Sequence, residues 1–332
     1  MTLANQLKWE KLADKALAGE KLSMEEGLSV LNAPDEELLL LLHASFRVRY
    51  HYFGKKVKLN MIINAKSGLC SEDCGYCSQS AVSEAPVEKY SLLRKEDLIE
   101  GAKTARARKA GTYCIVASGR GPTRRELNEV IDAVKEIKEK YPLKICTCLG
   151  IVSDEQAKQL KEAGVDRYNH NLNTSATNYG NIATTHTYQD RVDTVQTVKI
   201  AGISPCSGCI IGMGETKEQV VEMAYSLREL DADSIPVNFL NAIPGTPLQG
   251  MKELNPRYCL KVLALFRFIC AQKEIRVSGG REVNLRQLQP LSLYPANSLF
   301  VGDYLTTEGQ ESNLDLQMIE DMGFEVEEAT HE

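Results

Sequence analysis

The chain has 332 residues and a formal net charge of −6 at pH 7. That length can bury one large core or two ordinary ones, and the acidic balance provides no basic surface of the kind that binds nucleic acid. Ten cysteines in so long a chain argue against a small secreted disulfide scaffold and favour a reducing cytoplasm, where thiolates stay free for metal. We expect neither a signal peptide nor a membrane span, because the longest leucine run, residues 38–42, is far too short.

Taken in chain order, residues 1–55 show helix-like spacing of apolar residues and predict a helical extension. From residue 57 onward, short apolar runs alternate with amphipathic segments. The runs predict strands at 57–64, 112–118, 144–149, 166–173, 203–211, 234–241, 274–279 and 298–304. The segments predict helices that include 123–141, 153–163, 188–201, 216–230, 256–273 and 312–322. This α/β alternation predicts a complete (βα)8 TIM-type barrel over 56–310, with a helix and tail at 311–332.

Three cysteines follow the first predicted strand in the segment Cys70-Ser-Glu-Asp-Cys74-Gly-Tyr-Cys77, which we call the cysteine loop. Structural zinc takes four ligands, usually from two separated pairs, and ferredoxin clusters also take four cysteines. Three local thiolates with C-x3-C-x2-C spacing instead suit a 4Fe–4S cluster with one iron left open to a small molecule. The alternative is that the three cysteines are merely buried or bind zinc.

Asparagines recur on the fourth predicted strand. If side chains alternate between lumen and helix layer, then Asn169, Asn171 and Asn173 share one face and His170 points the other way. Three amides in a lumen would lack partners unless a polar ligand satisfied them. The alternative is that one or two lie in turns or pair with neighbouring strands. We expect His170 to be a structural residue packed under the helices.

Further cysteines and one arginine also fall on predicted strands. Cys114 lies on strand two, Cys206 and Cys209 lie on strand five, and Arg276 lies on strand seven. Strand three carries Cys146 and Cys148, which share a face, so geometry alone cannot choose between them. Buried cysteine is often inert packing, and we keep that interpretation for Cys259 and Cys270. A buried arginine, however, needs a partner.

Six motifs give the chain a family resemblance over nearly all of residues 40–310. They are G-x-C-x-x-D-C-x-Y-C (68–77), Y-N-H-N-L-x-T-S (168–175), C-S-G-x-I-x-G-x-G-E (206–215), P-x-N-x-L…G-T-P-L (236–248), R-x-S-x-G-R-E (276–282) and A-N-S…L-T-T (296–307). In these motifs the chain resembles the biotin synthases, a family of radical S-adenosylmethionine enzymes. It departs from the expected pattern at Asn173, where the family has Asp, and at Cys148.

The resemblance implies a site for two clusters and two organic ligands. It assigns a 4Fe–4S cluster to Cys70, Cys74 and Cys77, and a 2Fe–2S cluster to Cys114, Cys146, Cys206 and Arg276. It assigns S-adenosylmethionine to Tyr76, Asn171, Asn173, Arg191 and Glu215, and dethiobiotin to Asn169, Asn171 and Asn238. It implies no catalytic residue beyond the cluster ligands.

The same resemblance implies the reaction and its partners. A 5′-deoxyadenosyl radical from S-adenosylmethionine would activate dethiobiotin, and the 2Fe–2S cluster would donate sulfur to close the thiophane ring of biotin. A flavodoxin or ferredoxin would supply electrons, iron–sulfur assembly proteins would supply the clusters, and the protein would be a homodimer. Two alternatives remain open: another radical barrel enzyme of the hydrogenase-maturation or methylornithine-synthase type, and a non-catalytic iron–sulfur electron carrier.

Overall fold

The computed structural model describes residues 3–252 and 254–328, so the last four residues of the predicted tail lie outside the description. Within these ranges the strands are β1 (Lys56–Lys66), β2 (Thr112–Ala117), β3 (Lys144–Cys148), β4 (Arg167–Asn169), β5 (Ser204–Cys206), β6 (Cys209–Ile211), β7 (Ser234–Phe239), β8 (Glu274–Val277), β9 (Ser298–Phe300) and β10 (Glu325–Val326). All the strand pairs are parallel, and pairing of β9 with β1 closes the sheet. Because β5 and β6 form one interrupted strand and β10 only pairs with the start of β1, the closed barrel has eight strands. This confirms the predicted (βα)8 fold.

Helices connect the barrel strands on the outside of the barrel. The α-helices of the described ranges are α1 (Leu3–Leu17), α2 (Met24–Leu31), α3 (Leu38–Phe53), α4 (Lys95–Ala107), α5 (Arg124–Lys140), α6 (Asp154–Glu162), α7 (Tyr188–Ile200), α8 (Lys217–Glu229), α9 (Pro256–Ile269), α10 (Arg281–Leu285) and α11 (Ser312–Asp321). Four barrel helices begin with a capping box. In this motif the hydroxyl of the capping residue accepts from the backbone amide three positions on, and the side chain at that position accepts from the amide of the capping residue. The capping residues are Thr123, Ser153, Thr187 and Thr216. No helix in the described ranges is both long and apolar enough to cross a lipid bilayer.

The N-terminal helices cover the end of the barrel where the strands begin. Arg49 on α3 is fully buried. Its Nη2 donates to the carbonyl of Lys56 at the start of β1 over 2.8 Å, and its Nε donates to the carbonyl of Ala296 just before β9 over 3.3 Å. This arginine ties the helical extension to the seam that closes the sheet. The opposite end, where the strands finish, therefore stays open for a site, as is general in this fold.

Several predicted strands are shorter than expected, and two of these differences shape the site. The strand predicted at 166–173 ends at Asn169; beyond it an isolated bridge joins Asn173 to Cys209, and Asn173 has a left-handed φ of 69°. The strand predicted at 203–211 is interrupted at Gly208. A Cβ at Gly208 would lie 1.9 Å from the carbonyl oxygen of Pro236 on β7, so only glycine fits at this close approach.

Candidate active site

The cysteine loop follows β1 and is fixed by hydrogen bonds to the segment before α7. The amide of Gly75 donates to the carbonyl of Ile182 over 2.9 Å. The carboxylate of Asp73 accepts from the amides of Thr184 at 2.9 Å and Thr185 at 3.2 Å. Burial alone would raise the pKa of Asp73, but these hydrogen bonds outweigh it and hold the pKa well below its usual range.

Two of the three thiols of this loop, those of Cys74 and Cys77, lie in an environment that favours the protonated form. Burial raises the pKa of Cys77 to about 12 and also raises that of Cys74, where the positive charge of Arg191 opposes it. Cys70 is partly exposed. Cysteine binds metal as thiolate, so loading this loop must release protons. Three thiolates on one loop are the donor set of a 4Fe–4S cluster with an open iron, and these residues fit that group.

His186 is a site residue that sequence reasoning missed. Its Nε2 lies 3.4 Å from Sγ of Cys74 and 3.0 Å from Nη2 of Arg191, and its Nδ1 lies 2.9 Å from the hydroxyl of Tyr179. The side chain is buried. It reaches the first cluster site across 112 residues of sequence, so no local spacing could have indicated it. His186 therefore joins Cys74 of the cysteine loop to Arg191, which the resemblance assigns to S-adenosylmethionine.

The lumen amides form a connected set around the end of β4. Nδ2 of Asn169 donates to Oδ1 of Asn171 over 3.0 Å and lies 3.3 Å from Sγ of Cys206. Oδ1 of Asn171 also accepts from the amide of Gly208 at 3.0 Å. Asn238 donates from Nδ2 to a carbonyl and accepts at Oδ1 from a backbone amide, each over 3.0 Å. These side chains are therefore held in fixed orientations.

The expectation for His170 is wrong. Because β4 ends at Asn169, strict alternation does not continue, and His170 lines the same cavity as Asn169, Asn171 and Asn173. It is buried, its Nε2 has no hydrogen-bond partner, and burial together with the charge of Arg191 lowers its pKa well below the ordinary value. It is not packed under the helices.

A second group of thiols lies deeper in the barrel. Cys146 lies opposite Cys114 in the pair of β2 and β3, Cys206 ends β5 opposite Asn169, and all three side chains are buried. Nη1 of Arg276 lies 3.9 Å from Sγ of Cys206. The interaction with Cys114 and burial together raise the pKa of Cys146 well above its ordinary value, and the interaction with Cys206 opposes this rise. Three thiols and one arginine that converge in a closed lumen are the donor set proposed for the 2Fe–2S cluster, and they fit it.

Cys148 lines the same cavity as Cys114 and Cys146, but it lies further along β3 than Cys146, opposite Val116. Burial raises the pKa of its thiol to about 12, and the charge of Arg191 opposes this rise. Cys209 is fully buried within the main apolar core. Within the described ranges, no three His, Cys, Asp or Glu side chains have the geometry that binds a single metal ion.

One cavity of about 300 Å³ connects the two thiol groups. The predicted site residues that line it are Tyr76, Cys77, Cys114, Cys146, Asn169, Asn171, Asn173, Arg191, Asn238 and Arg276. Glu215 does not line it. Its carboxylate instead accepts from the amides of Gly212 at 2.7 Å and Met213 at 2.8 Å, and so fixes the loop after β6.

The closed barrel and the cysteine loop define the chain as a radical S-adenosylmethionine enzyme. The model of the Radical SAM superfamily matches residues 66–226, and that of the Biotin and Thiamin Synthesis associated domain matches residues 236–325. The solved structure of methylornithine synthase aligns with a TM-score of 0.84 over 96% of this chain and 98% of that one. Its sequence identity is 22%, so this likeness concerns the fold alone.

Curated relatives give the particular family. The biotin synthase of Bacillus subtilis (strain 168) is 67% identical over 319 residues, which cover 96% of this chain and 95% of that protein. The biotin synthase of Halalkalibacterium halodurans is 64% identical over 321 residues, which cover 97% and 96% of the two chains. The chain belongs to the biotin synthase family.

Proposed function

We propose that this protein forms biotin from dethiobiotin by radical-mediated insertion of sulfur. The observation that carries the proposal is one cavity lined by thiols of both groups, Cys77 of the cysteine loop and Cys114 and Cys146 of the inner group. The inner group also has Arg276 beside Cys206. An electron carrier has no need of a cavity lined by amides, and another radical barrel enzyme has no need of the inner group. The high identity to biotin synthases supports the same conclusion.

When bound, the cofactors would supply the difficult chemistry, namely the electron for cleavage of S-adenosylmethionine from the 4Fe–4S cluster and the sulfur from the 2Fe–2S cluster. The chain binds, orients and excludes water. Cys70, Cys74 and Cys77 would hold the outer cluster, and Cys114, Cys146, Cys206 and Arg276 the inner one. Because the cavity lies inside the barrel, a reactive species formed there is shielded from solvent.

The polar residues of the cavity have distinct tasks in this proposal. Arg191 would bind the methionyl carboxylate of S-adenosylmethionine through a charge-assisted hydrogen bond. Asn171 and Asn173 would contact the ribose, with Tyr76 beside the adenosine. Glu215 would act on the same ligand through the loop that it fixes.

Dethiobiotin has a neutral ureido ring that offers both donors and acceptors, which suits amide side chains. Asn169, Asn171 and Asn238 are therefore proposed to bind it. A second cavity of about 220 Å³ shares Tyr76, Cys77 and Asn238 with the first and is the proposed route of entry.

The proposal also covers the cellular compartment, the protein partners and the domain bounds. The cysteines of the described ranges are all free, which fits a reducing cytoplasm. Flavodoxin or ferredoxin would be the reductant, iron–sulfur assembly proteins would restore the clusters, and the protein would act as a homodimer. We also propose that residues 56–310 act as one barrel unit, with 1–55 and 311–332 as extensions.

The deciding experiment measures iron, sulfide and absorbance of the anaerobically reconstituted protein before and after turnover with dethiobiotin. We expect two cluster types at the start, and formation of biotin with loss of 2Fe–2S absorbance at the end. An electron carrier would yield no 5′-deoxyadenosine with S-adenosylmethionine and dithionite. A different radical enzyme would yield 5′-deoxyadenosine but no biotin.

A further inference from the structure

A buried ionic network lies beneath the inner thiol group, at the end of the lumen where the strands begin. Glu274 and Arg276 are two residues apart on β8 and so share its inner face, and Arg167 starts β4. Their exposed fractions are 3% for Glu274, 1% for Arg276 and 9% for Arg167. Burial of charges costs free energy that pairing only partly offsets, so we expect this network to have a function.

Glu274 is the centre of the network. Its Oε1 accepts from Nη2 of Arg276 at 2.7 Å, and from the hydroxyls of Ser234 at 3.0 Å and Ser298 at 2.9 Å. Its Oε2 accepts from Nη1 of Arg167 at 2.7 Å. Two guanidinium groups and two hydroxyls thus surround the carboxylate, and both its oxygens are occupied.

The pairing with Glu274 leaves Nη1 of Arg276 to face the inner thiols. Nη2 is occupied by Glu274 and by Ser234 at 2.7 Å, and Nε donates to Ser298 at 3.3 Å. The guanidinium carbon also lies 4.9 Å from the centre of the Phe300 ring. Only Nη1 faces the inner thiols, 3.9 Å from Sγ of Cys206. Glu274 thus fixes which nitrogen of the planar fork points at the cluster position.

The net charge of the network is also equal and opposite to that of the proposed cluster with its thiolates. An oxidised 2Fe–2S core carries two positive charges and three thiolates carry three negative ones, which leaves one net negative charge. Arg167, Glu274 and Arg276 together carry one net positive charge, so the buried assembly is neutral. Lys58 lies 3.6 Å from Oε2 of Glu274, but its side chain is 27% exposed and solvent screens its charge.

We propose that Glu274 is a positioning residue for the 2Fe–2S site, which orients Arg276 toward Cys206 and, together with Arg167, sets the charge beneath the cluster. This inference rests on the proposed function, because it assumes that the inner thiols hold that cluster. Glu274 touches neither substrate nor cluster and acts through Arg276. Two effects are thereby separable: of the two charged partners, Glu274 contacts Arg276 and affects its orientation, whereas the charge depends on Glu274 and Arg167 with opposite signs.

The test compares Glu274→Gln, Arg167→Gln and the double variant in the full chain after anaerobic reconstitution. Asp315→Asn is the matched control, because Asp315 is a fully buried carboxylate that pairs with the buried Arg281 at 2.7 Å, away from the cavity. The readouts are iron and sulfide content, 2Fe–2S absorbance, the midpoint potential of that cluster, and thermal unfolding. The 4Fe–4S content of each preparation is the internal reference.

We expect Glu274→Gln to hold several-fold less 2Fe–2S cluster than the parent protein, and the remaining cluster to have a more positive potential because a negative charge is lost. Arg167→Gln should keep the cluster and shift its potential in the negative direction. The double variant restores the charge but replaces the charge-assisted hydrogen bond to Arg276 with a weaker neutral one, so its cluster content should stay low. Asp315→Asn should lose thermal stability while its clusters match those of the parent.

Native cluster content and potential in both Glu274→Gln and the double variant would overturn the inference. If Glu274→Gln does not fold, the charge-balanced double variant decides the question: low cluster content in a folded protein supports the role of Glu274, and native content refutes it. A parent protein that binds no 2Fe–2S cluster would overturn the proposed function and this inference together. A parent that binds it, with variants that match, would overturn this inference alone.

Discussion

Cys114 and Cys146 lie directly opposite each other in the parallel pair of β2 and β3, whereas Cys148 lies opposite Val116. This register distinguishes two cysteines that share one face of a strand. The thiol that pairs with Cys114 also reaches Cys206, while Cys148 lies one step closer to the open end of the barrel.

We therefore predict different outcomes for two alanine variants. Cys146→Ala should lose the 2Fe–2S absorbance and biotin formation while the 4Fe–4S cluster remains, because two thiols and an arginine are too few ligands. Cys148→Ala should keep both clusters. Absorbance and iron content after reconstitution measure both results, and the reverse pattern would assign the inner cluster to the other cysteine.

The cysteine loop gives a second prediction. Replacement of Cys70, Cys74 or Cys77 by Ala should abolish the 4Fe–4S cluster and all cleavage of S-adenosylmethionine, because two thiolates do not hold the cube. The measurement is 5′-deoxyadenosine formed with dithionite under anaerobic conditions. Cys259→Ala is a suitable control, since Cys259 is buried in α9 and should affect packing without removing a cluster. Near-normal cleavage by Cys74→Ala would disprove the assignment.

The sequence predicted the barrel well because each strand and helix carries its own periodicity and caps. It predicted less well where tertiary contacts decide the backbone. The alternation around His170 suggested a long strand, but regular pairing stops at Asn169, and Asn173 has a left-handed φ. His186 and Glu274 could not be assigned from sequence, because their roles arise from partners that the closed barrel brings together, such as Cys74 and Arg276.

Asn173 offers a third prediction, since the resemblance leads us to expect Asp at this position. Asp tolerates the left-handed conformation observed here, so Asn173→Asp should fold normally. A carboxylate accepts stronger, charge-assisted hydrogen bonds from the ribose hydroxyls, so the variant should bind S-adenosylmethionine more tightly. Calorimetric titration of the reconstituted protein measures this. An unchanged dissociation constant would remove Asn173 from the ribose site.

The last prediction concerns the lumen amides and tests the identity of the substrate. Truncation of Asn169 or Asn238 to Ala should leave a polar group of the ureido ring unpaired, at a cost of about 1–3 kcal/mol in dethiobiotin binding. The two side chains differ in their other contacts: Asn169 bonds mainly to Asn171, whereas Asn238 also holds two backbone groups. Asn238→Ala should therefore lose some thermal stability as well, and Asn169→Ala should not.

The affinity for S-adenosylmethionine should distinguish Asn169→Ala and Asn238→Ala from Asn171→Ala. The first two should lose the stimulation of S-adenosylmethionine cleavage by dethiobiotin but keep the uncoupled cleavage and the cofactor affinity. Asn171 is proposed to contact both ligands, and its Oδ1 also fixes Asn169 and the amide of Gly208, so its loss should weaken both. If all three variants changed cofactor affinity equally and left dethiobiotin stimulation intact, the amides would not form a ureido site and the cavity would serve a different radical substrate.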